Sequence, residues 1–100
     1  MSLTVEHLVA AGKTFEEKFP DDFADLKQKT SGLSEEEQQK QYGILVNAVN
    51  GDADAQAKMK EIYKNEPSQH GTPEQVQHFV ECFPEEFRDK LSALFKSLEA

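Results

Sequence analysis

The chain has no Trp, two Tyr, one Cys and a single Arg in 100 residues, and each scarcity removes a class of explanation. A lone cysteine, Cys82, cannot close an intramolecular disulfide, so the fold does not depend on oxidation. It lies in an apolar stretch, where a free Cys behaves as a small hydrophobe. Lys and Arg number 11 against 19 Asp and Glu, for a net charge of −8. That balance argues against the basic clusters that release counterions from polyanions, so neither nucleic acid nor strong anionic-membrane binding is expected. No apolar run approaches the ~20 residues of a membrane-crossing helix. No basic region followed by an apolar run opens the chain, and a cytoplasmic protein is the expectation. There is also no glycine-rich phosphate loop, no G-x-S-x-G and no Walker sequence, so no cofactor and no enzymatic activity are expected.

What is present is helical. Glu, Gln, Lys, Ala and Leu are abundant, β-branched residues are few, and no stretch alternates strictly enough for a strand. A first helix opens after Thr4 and carries Leu8, Ala11, Phe15 and Phe19. Gly12 is a candidate interruption, and Thr14-Phe15-Glu16-Glu17 a candidate fresh start. A second helix runs to about Thr30, with Gly32 as its stop. Ser34-Glu35-Glu36-Glu37 opens a third, bearing Tyr42, Leu45, Val46 and Val49. After Asn50-Gly51, Asp52 or Asp54 caps a fourth, with Ala55, Met59, Ile62 and Tyr63. A polar loop over 65–71 leads to a fifth, opened by Thr72-Pro73-Glu74-Gln75. A sixth carries Phe87, Leu91, Leu94, Phe95 and Leu98. The expected fold is all-α: a single domain over residues 1–100, built of about six short amphipathic helices with proline-kinked junctions.

One phrase occurs twice. Phe15-Glu16-Glu17-Lys18-Phe19-Pro20-Asp21-Asp22-Phe23 and Phe79-Val80-Glu81-Cys82-Phe83-Pro84-Glu85-Glu86-Phe87 both read Phe-x-x-x-Phe-Pro-acidic-acidic-Phe. Together they hold six of the seven Phe, and Phe95 follows shortly after. Proline pushes the residue before it out of the helical region and favours the start of the next helix. Each phrase therefore predicts a bend at which one helix ends and another begins, with three rings around it. Those rings either pack on one another or line a cavity.

The acidic pairs Glu16-Glu17, Asp21-Asp22 and Glu85-Glu86 are poor acid/base candidates. Neighbours on a helix point about 100° apart, and in a first turn their charge complements the helix dipole. Asn50-Gly51-Asp52-Ala53-Asp54 lacks the ligand spacing of a calcium loop. His7, His70 and His78 have no partners at metal-ligand spacing, so no metal is expected. Cys82 and His78 share a helix face, which leaves a thiolate–imidazole pair as a minor reading. Ser34 and Thr14 each precede acidic residues, with Glu37 and Glu17 at the third place. That pattern is an N-cap signature and also suits phosphorylation by an acidophilic kinase.

Phe19-Pro20-Asp21-Asp22-Phe23 with Leu26, then Ser31-Gly32-Leu33-Ser34-Glu35-Glu36-Glu37, resembles an early stretch of the nematode fatty-acid- and retinol-binding proteins. There an apolar-Pro-acidic turn precedes a capped helix. The helix around Ala55 to Tyr63 and the Phe-Pro-Glu-Glu-Phe segment are similar in type. The resemblance covers about half the chain and is to a short member without a visible secretion signal. It implies an all-helical carrier of fatty acids or retinol, with the family's kinase site mapping onto Ser34 in preference to Thr14. On that reading the apolar tail would lie among Phe15, Phe19, Phe23, Leu45, Val49, Ile62, Phe79, Phe83, Phe87 and Phe95. Arg88 or Lys18 would meet the headgroup. The other expectation is a helical interaction module with no small ligand.

Overall fold

The computed structural model describes residues 2–66 and 70–99. Six helices succeed one another: α1 (Val5–Lys18), α2 (Pro20–Lys29), α3 (Glu35–Val49), α4 (Ala53–Asn65), α5 (Pro73–Glu81) and α6 (Glu85–Glu99). No strand occurs among the described residues. The all-α expectation holds, and the polar loop expected over 65–71 is the link 66–72 between α4 and α5, of which residues 67–69 lie outside the described residues. The radius of gyration is 12.5 Å, close to the ~13 Å of a compact 100-residue domain.

Local chemistry sets the helix ends. Ser34, Asp52 and Thr72 each accept a backbone N–H of the first turn: from Glu37, Ala55 and Gln75 respectively. Asp52, not Asp54, is thus the cap of α4. Thr4 caps α1 through an unusual reciprocal pair, in which Nδ1 of His7 accepts the Thr4 N–H at 3.1 Å. A histidine takes the place that Glu or Gln holds in a capping box. Helix α1 runs unbroken through Gly12 and Thr14. The Thr14 hydroxyl donates to the Ala10 carbonyl one turn back, so Thr14 opens no helix.

The helix stops differ from one another. After α3, Gly51 takes φ +103°, and the Gly51 and Asp52 N–H groups return to the carbonyls of Ala48 and Asn47. This is the paired closure that favours glycine beyond a helix end. Gly32 has no such role: the hydroxyls of Thr30 and Ser31 satisfy the carbonyls of Leu26, Lys27 and Gln28 instead. Asn50 also clamps the chain start, accepting from the Leu3 N–H and donating to the Leu3 carbonyl, both at 2.9 Å. That pair seats Leu3 in the core.

Helix α6 is the centre of packing. Phe87, Leu91, Leu94, Phe95 and Leu98 are buried along one face, against Leu45, Val46, Ala48 and Val49 of α3 and Met59 of α4. Burying such a side chain contributes roughly 1.5–3 kcal/mol. Helix α2 stands apart, because none of its residues is fully buried.

The two Phe-Pro phrases bend the chain in different ways. In the first, Phe19 alone separates α1 from α2, ending one and preceding the other, and Pro20 is the first residue of α2. In the second, α5 stops at Glu81. The N–H groups of Cys82 and Phe83 close tight turns onto Phe79 and Val80, and Pro84 lies ahead of α6 rather than in it. The expectation that Pro84 repeats the first junction is therefore corrected. At its second and third rings the second copy is the deeper one, with Phe83 and Phe87 each 1% exposed, whereas at the first ring Phe15 is buried and Phe79 only partly so. Phe19 and Phe23 stay half-buried.

Candidate functional site

The aromatic residues of the two phrases close on one another. Phe15 is the hub, with ring centroids 5.9 Å from Phe19, 6.4 Å from Phe23 and 5.4 Å from Phe79. Phe79 continues to Phe83 at 5.0 Å, edge to face. These are the separations and tilts that aromatic quadrupoles favour. Phe87 meets the His7 ring at 4.9 Å, and Phe95 meets Tyr63 at 6.5 Å. None of these Phe residues borders either of the two cavities described next. Val49 is core. Arg88 donates from Nε to the Phe83 carbonyl at 2.9 Å and so steadies the α5–α6 link. It borders neither cavity, and nor does the exposed Lys18.

The larger cavity is an open groove of about 820 Å³ where four helix ends meet. Lys29 comes from the last turn of α2, and Lys60, Tyr63 and Lys64 from the end of α4. The link before α5 supplies His70, Gly71 and Thr72, and α6 ends in Ser97, Leu98 and Glu99. Lys60, Tyr63 and Lys64 fall at i, i+3 and i+4, so one helix face presents an aromatic ring between two ammonium groups. In a chain of net charge −8, this wall sets three lysines against one carboxylate, Glu99.

A second cavity of about 150 Å³ lies beside the groove. Gln41, Tyr42 and Leu45 of α3, Met59, Ile62 and Tyr63 of α4, and His70 line it. Leu45 and Ile62 are the residues of the sequence-derived ligand set that border a cavity. Both cavities share Tyr63 and His70, whose rings stack at 3.7 Å with planes 8° apart. A ring nitrogen of His70, Nε2, lies 3.1 Å from the Tyr63 carbonyl. The stacked pair thus stands at the shared border of a cationic groove and an apolar pocket. Burial, with the Glu99 carboxylate second, pushes the Tyr63 phenol up to about 12, so it presents a neutral O–H at physiological pH.

A polar clasp joins α2 to α5 next to the groove. The buried Gln75 donates from Nε2 to Asp25 at 2.8 Å, and its Oε1 accepts from the Thr72 N–H at 3.0 Å and from Lys29 at 3.5 Å. Lys29 also pairs with Asp25 at 3.1 Å. One turn along, Nδ1 of His78 lies 2.7 Å from Asp22, and its ring stacks on Phe19. The Gln75 hydrogen bond, then that of Lys29, hold the Asp25 carboxyl below its ordinary value of 3.8. Asp22 and Asp25 at i, i+3 thus meet Gln75 and His78 at i, i+3. That complementary spacing is present in the sequence, where Asp22 reads only as a helix-dipole partner and Asp25 carries no local signal.

Other chemistry-bearing residues are spoken for. The Cys82 thiol donates to the His78 carbonyl at 3.4 Å, and burial raises its pKa, which disfavours the thiolate. The His78 imidazole faces Asp22 rather than the sulfur. No group of three His, Cys, Asp or Glu that could hold a metal occurs among the described residues. None of the described helices is long and apolar enough to cross a membrane. Ser34 is exposed, its Oγ engaged with both the N–H and the carboxylate of Glu37. No family model, curated protein or solved structure matches the chain.

Proposed function

We infer that the protein binds a small amphipathic anion of the fatty-acid class. The carboxylate lies among Lys29, Lys60 and Lys64, and the chain runs along Tyr63 and Leu98 toward the apolar pocket. The observation that carries this reading is the junction at Tyr63 and His70, where a cationic groove adjoins a pocket bordered by Leu45, Met59 and Ile62. The groove volume of about 820 Å³ falls in the 300–1,000 Å³ range of small-molecule sites. A void of about 150 Å³ has room for a benzene-sized group, enough for the end of an alkyl chain.

The resemblance to the nematode carriers, drawn from Phe19-Pro20-Asp21-Asp22-Phe23 and the Ser34 segment, supports the same ligand class by a different route. Three ammonium groups favour a carboxylate over the uncharged alcohol of retinol, so fatty acid is preferred. The alternative, a helical interaction module, has less to stand on. Exposed large apolar residues are confined to Val5, Val9 and Tyr42 among the described residues, so no large apolar patch marks a partner-binding face. Native mass spectrometry of protein purified from its natural source tests the reading directly. A co-purifying fatty acid is the expected result, and protein of bare chain mass from gentle isolation is the adverse one.

A further inference from the structure

Lys29 belongs to two structures at once. It lines the groove, and it is also a member of the clasp that ties α2 to α5, through Asp25 and Gln75. Gln75 in turn accepts the N–H of Thr72, another groove residue. A third link is steric. A Cβ built on Gly71, in the groove wall, would stand 2.9 Å from a methyl of Leu26 on α2 and 3.0 Å from Oε1 of Gln75. The groove wall and α2 are therefore in contact through charge, hydrogen bonding and close packing.

Helix α2 is held from the side by α1 and otherwise by polar contacts. It buries no residue fully; it packs along α1, with the half-buried Phe23 against Phe15, and Asp22 meets His78 and Gln75. The Lys29 ammonium has three N–H donors, and an anion in the groove competes for them with Asp25 and Gln75. Where the anion takes the ammonium, Asp25 loses its cation and Gln75 loses a donor to Oε1. We propose that filling the groove with an anion and loosening α2 from α5 are two sides of one equilibrium, with Lys29 as the shared group. This rests on the fatty-acid reading of the groove and adds regulation to it: ligand binding uncovers the Phe15, Phe19 and Phe23 side of the molecule, and whatever loosens α2 tightens the ligand. Coupling of this kind is reciprocal, because both events draw on one free-energy difference.

Hydrogen exchange of the full-length protein, with and without oleate, tests the coupling. Oleate binding is followed in parallel by displacement of a fluorescent fatty acid, and oleyl alcohol serves as the uncharged counterpart. Oleate is expected to speed exchange of the α2 amides about fivefold or more, and oleyl alcohol to leave them unchanged. His78→Gln, which cuts the clasp outside the groove without adding charge, is expected to tighten oleate about fivefold, at the lower end of ordinary allosteric factors. Phe19→Leu, which removes the ring stacked on His78, should act in the same direction and gives an independent second variant. Oleate that binds while α2 exchange stays constant or slows overturns the coupling and leaves the fatty-acid reading intact. Equal acceleration by oleyl alcohol also overturns it. Absence of displaceable oleate binding removes both.

Discussion

The imidazole of His78 lies flat on the ring of Phe19, with centroids 4.3 Å apart and planes within 5°. The same imidazole reaches Asp22 at 2.7 Å through Nδ1. One side chain of α5 thus fixes both the residue at the α1–α2 bend and the first turn of α2. His78→Phe keeps a ring on Phe19 but loses the bond, and is expected to cost about 1 kcal/mol. His78→Ala loses both and should cost about 2 kcal/mol. Urea unfolding of the two variants measures the difference.

The repeated Phe-Pro phrase is asymmetric in depth, and stability should report it. Phe87 is 1% exposed, so Phe87→Ala should cost about 3–5 kcal/mol as a large-to-small change in a packed core. Phe23 is half-buried at the edge of the Phe15 cluster, and Phe23→Ala should cost about half as much. Equal losses in thermal or urea unfolding would mean that the two copies are equivalent after all.

Caps and helix interiors should respond with opposite signs. Ser34→Ala removes the acceptor for the Glu37 N–H and should cost about 1 kcal/mol. Gly12→Ala should stabilise by about 0.5–1 kcal/mol, since a helix interior favours Ala over Gly. A Cβ there meets nothing within 4 Å. Thr14→Ala should be neutral or mildly stabilising, because Thr14 lies inside α1 and caps nothing. Melting temperatures of the three variants separate these outcomes.

Two groups give local reports of pH. Asp25 is held below its ordinary value of 3.8 by Gln75 and Lys29. A depressed carboxyl contributes stability that is fully present above the unfolded value and is lost as pH falls through the folded one. The Asp25–Gln75 contact should therefore persist from neutral pH to below the ordinary value of 3.8, and fail only as pH falls on through the lowered one. The side-chain amide signal of Gln75 in an NMR titration follows this, and Asp25→Asn should abolish the step. Tyr63 reports at the alkaline end, raised from 10.0 to about 12. Its neutral form is favoured in the folded state, so the stability it contributes is complete below pH 10 and lost toward 12. In Tyr42→Phe, Tyr63 is the one remaining phenol, and its phenolate absorbance should rise with a midpoint near 12.

Helix boundaries were legible because their causes are local. Ser34 with Glu37, Thr72 with Pro73 and Gln75, and the Leu91-Leu94-Phe95-Leu98 stripe each act within a few residues, and each holds. His7 as a capping partner was missed because Glu or Gln usually fills that place. Leu3 escaped notice because Asn50, 47 positions away, seats it in the core. The groove was not legible for the same reason on a larger scale. Periodicity tells which face of a helix turns inward, but not which helix ends converge. Lys29 and Gln75 lie 46 positions apart, and Asp25 and Gln75 lie 50 apart. Aromatic abundance drew attention to the Phe phrases, whose rings satisfy one another. The cationic wall was hidden in a chain whose overall charge is negative.

On the proposed fatty-acid reading, Lys60 and Lys64 flank the face of α4 that holds the carboxylate. The most direct test is displacement of a fluorescent fatty acid by oleate from wild type, from Lys60→Glu/Lys64→Glu and from Lys18→Glu. Wild type should bind oleate with a Kd on the order of micromolar, and the double reversal should weaken it at least about tenfold, or ~1.4 kcal/mol. Lys18→Glu, at a residue outside the groove lining, should leave it unchanged. No displaceable binding, or equal weakening by Lys18→Glu and the double reversal, would contradict the assignment of the groove as the ligand site.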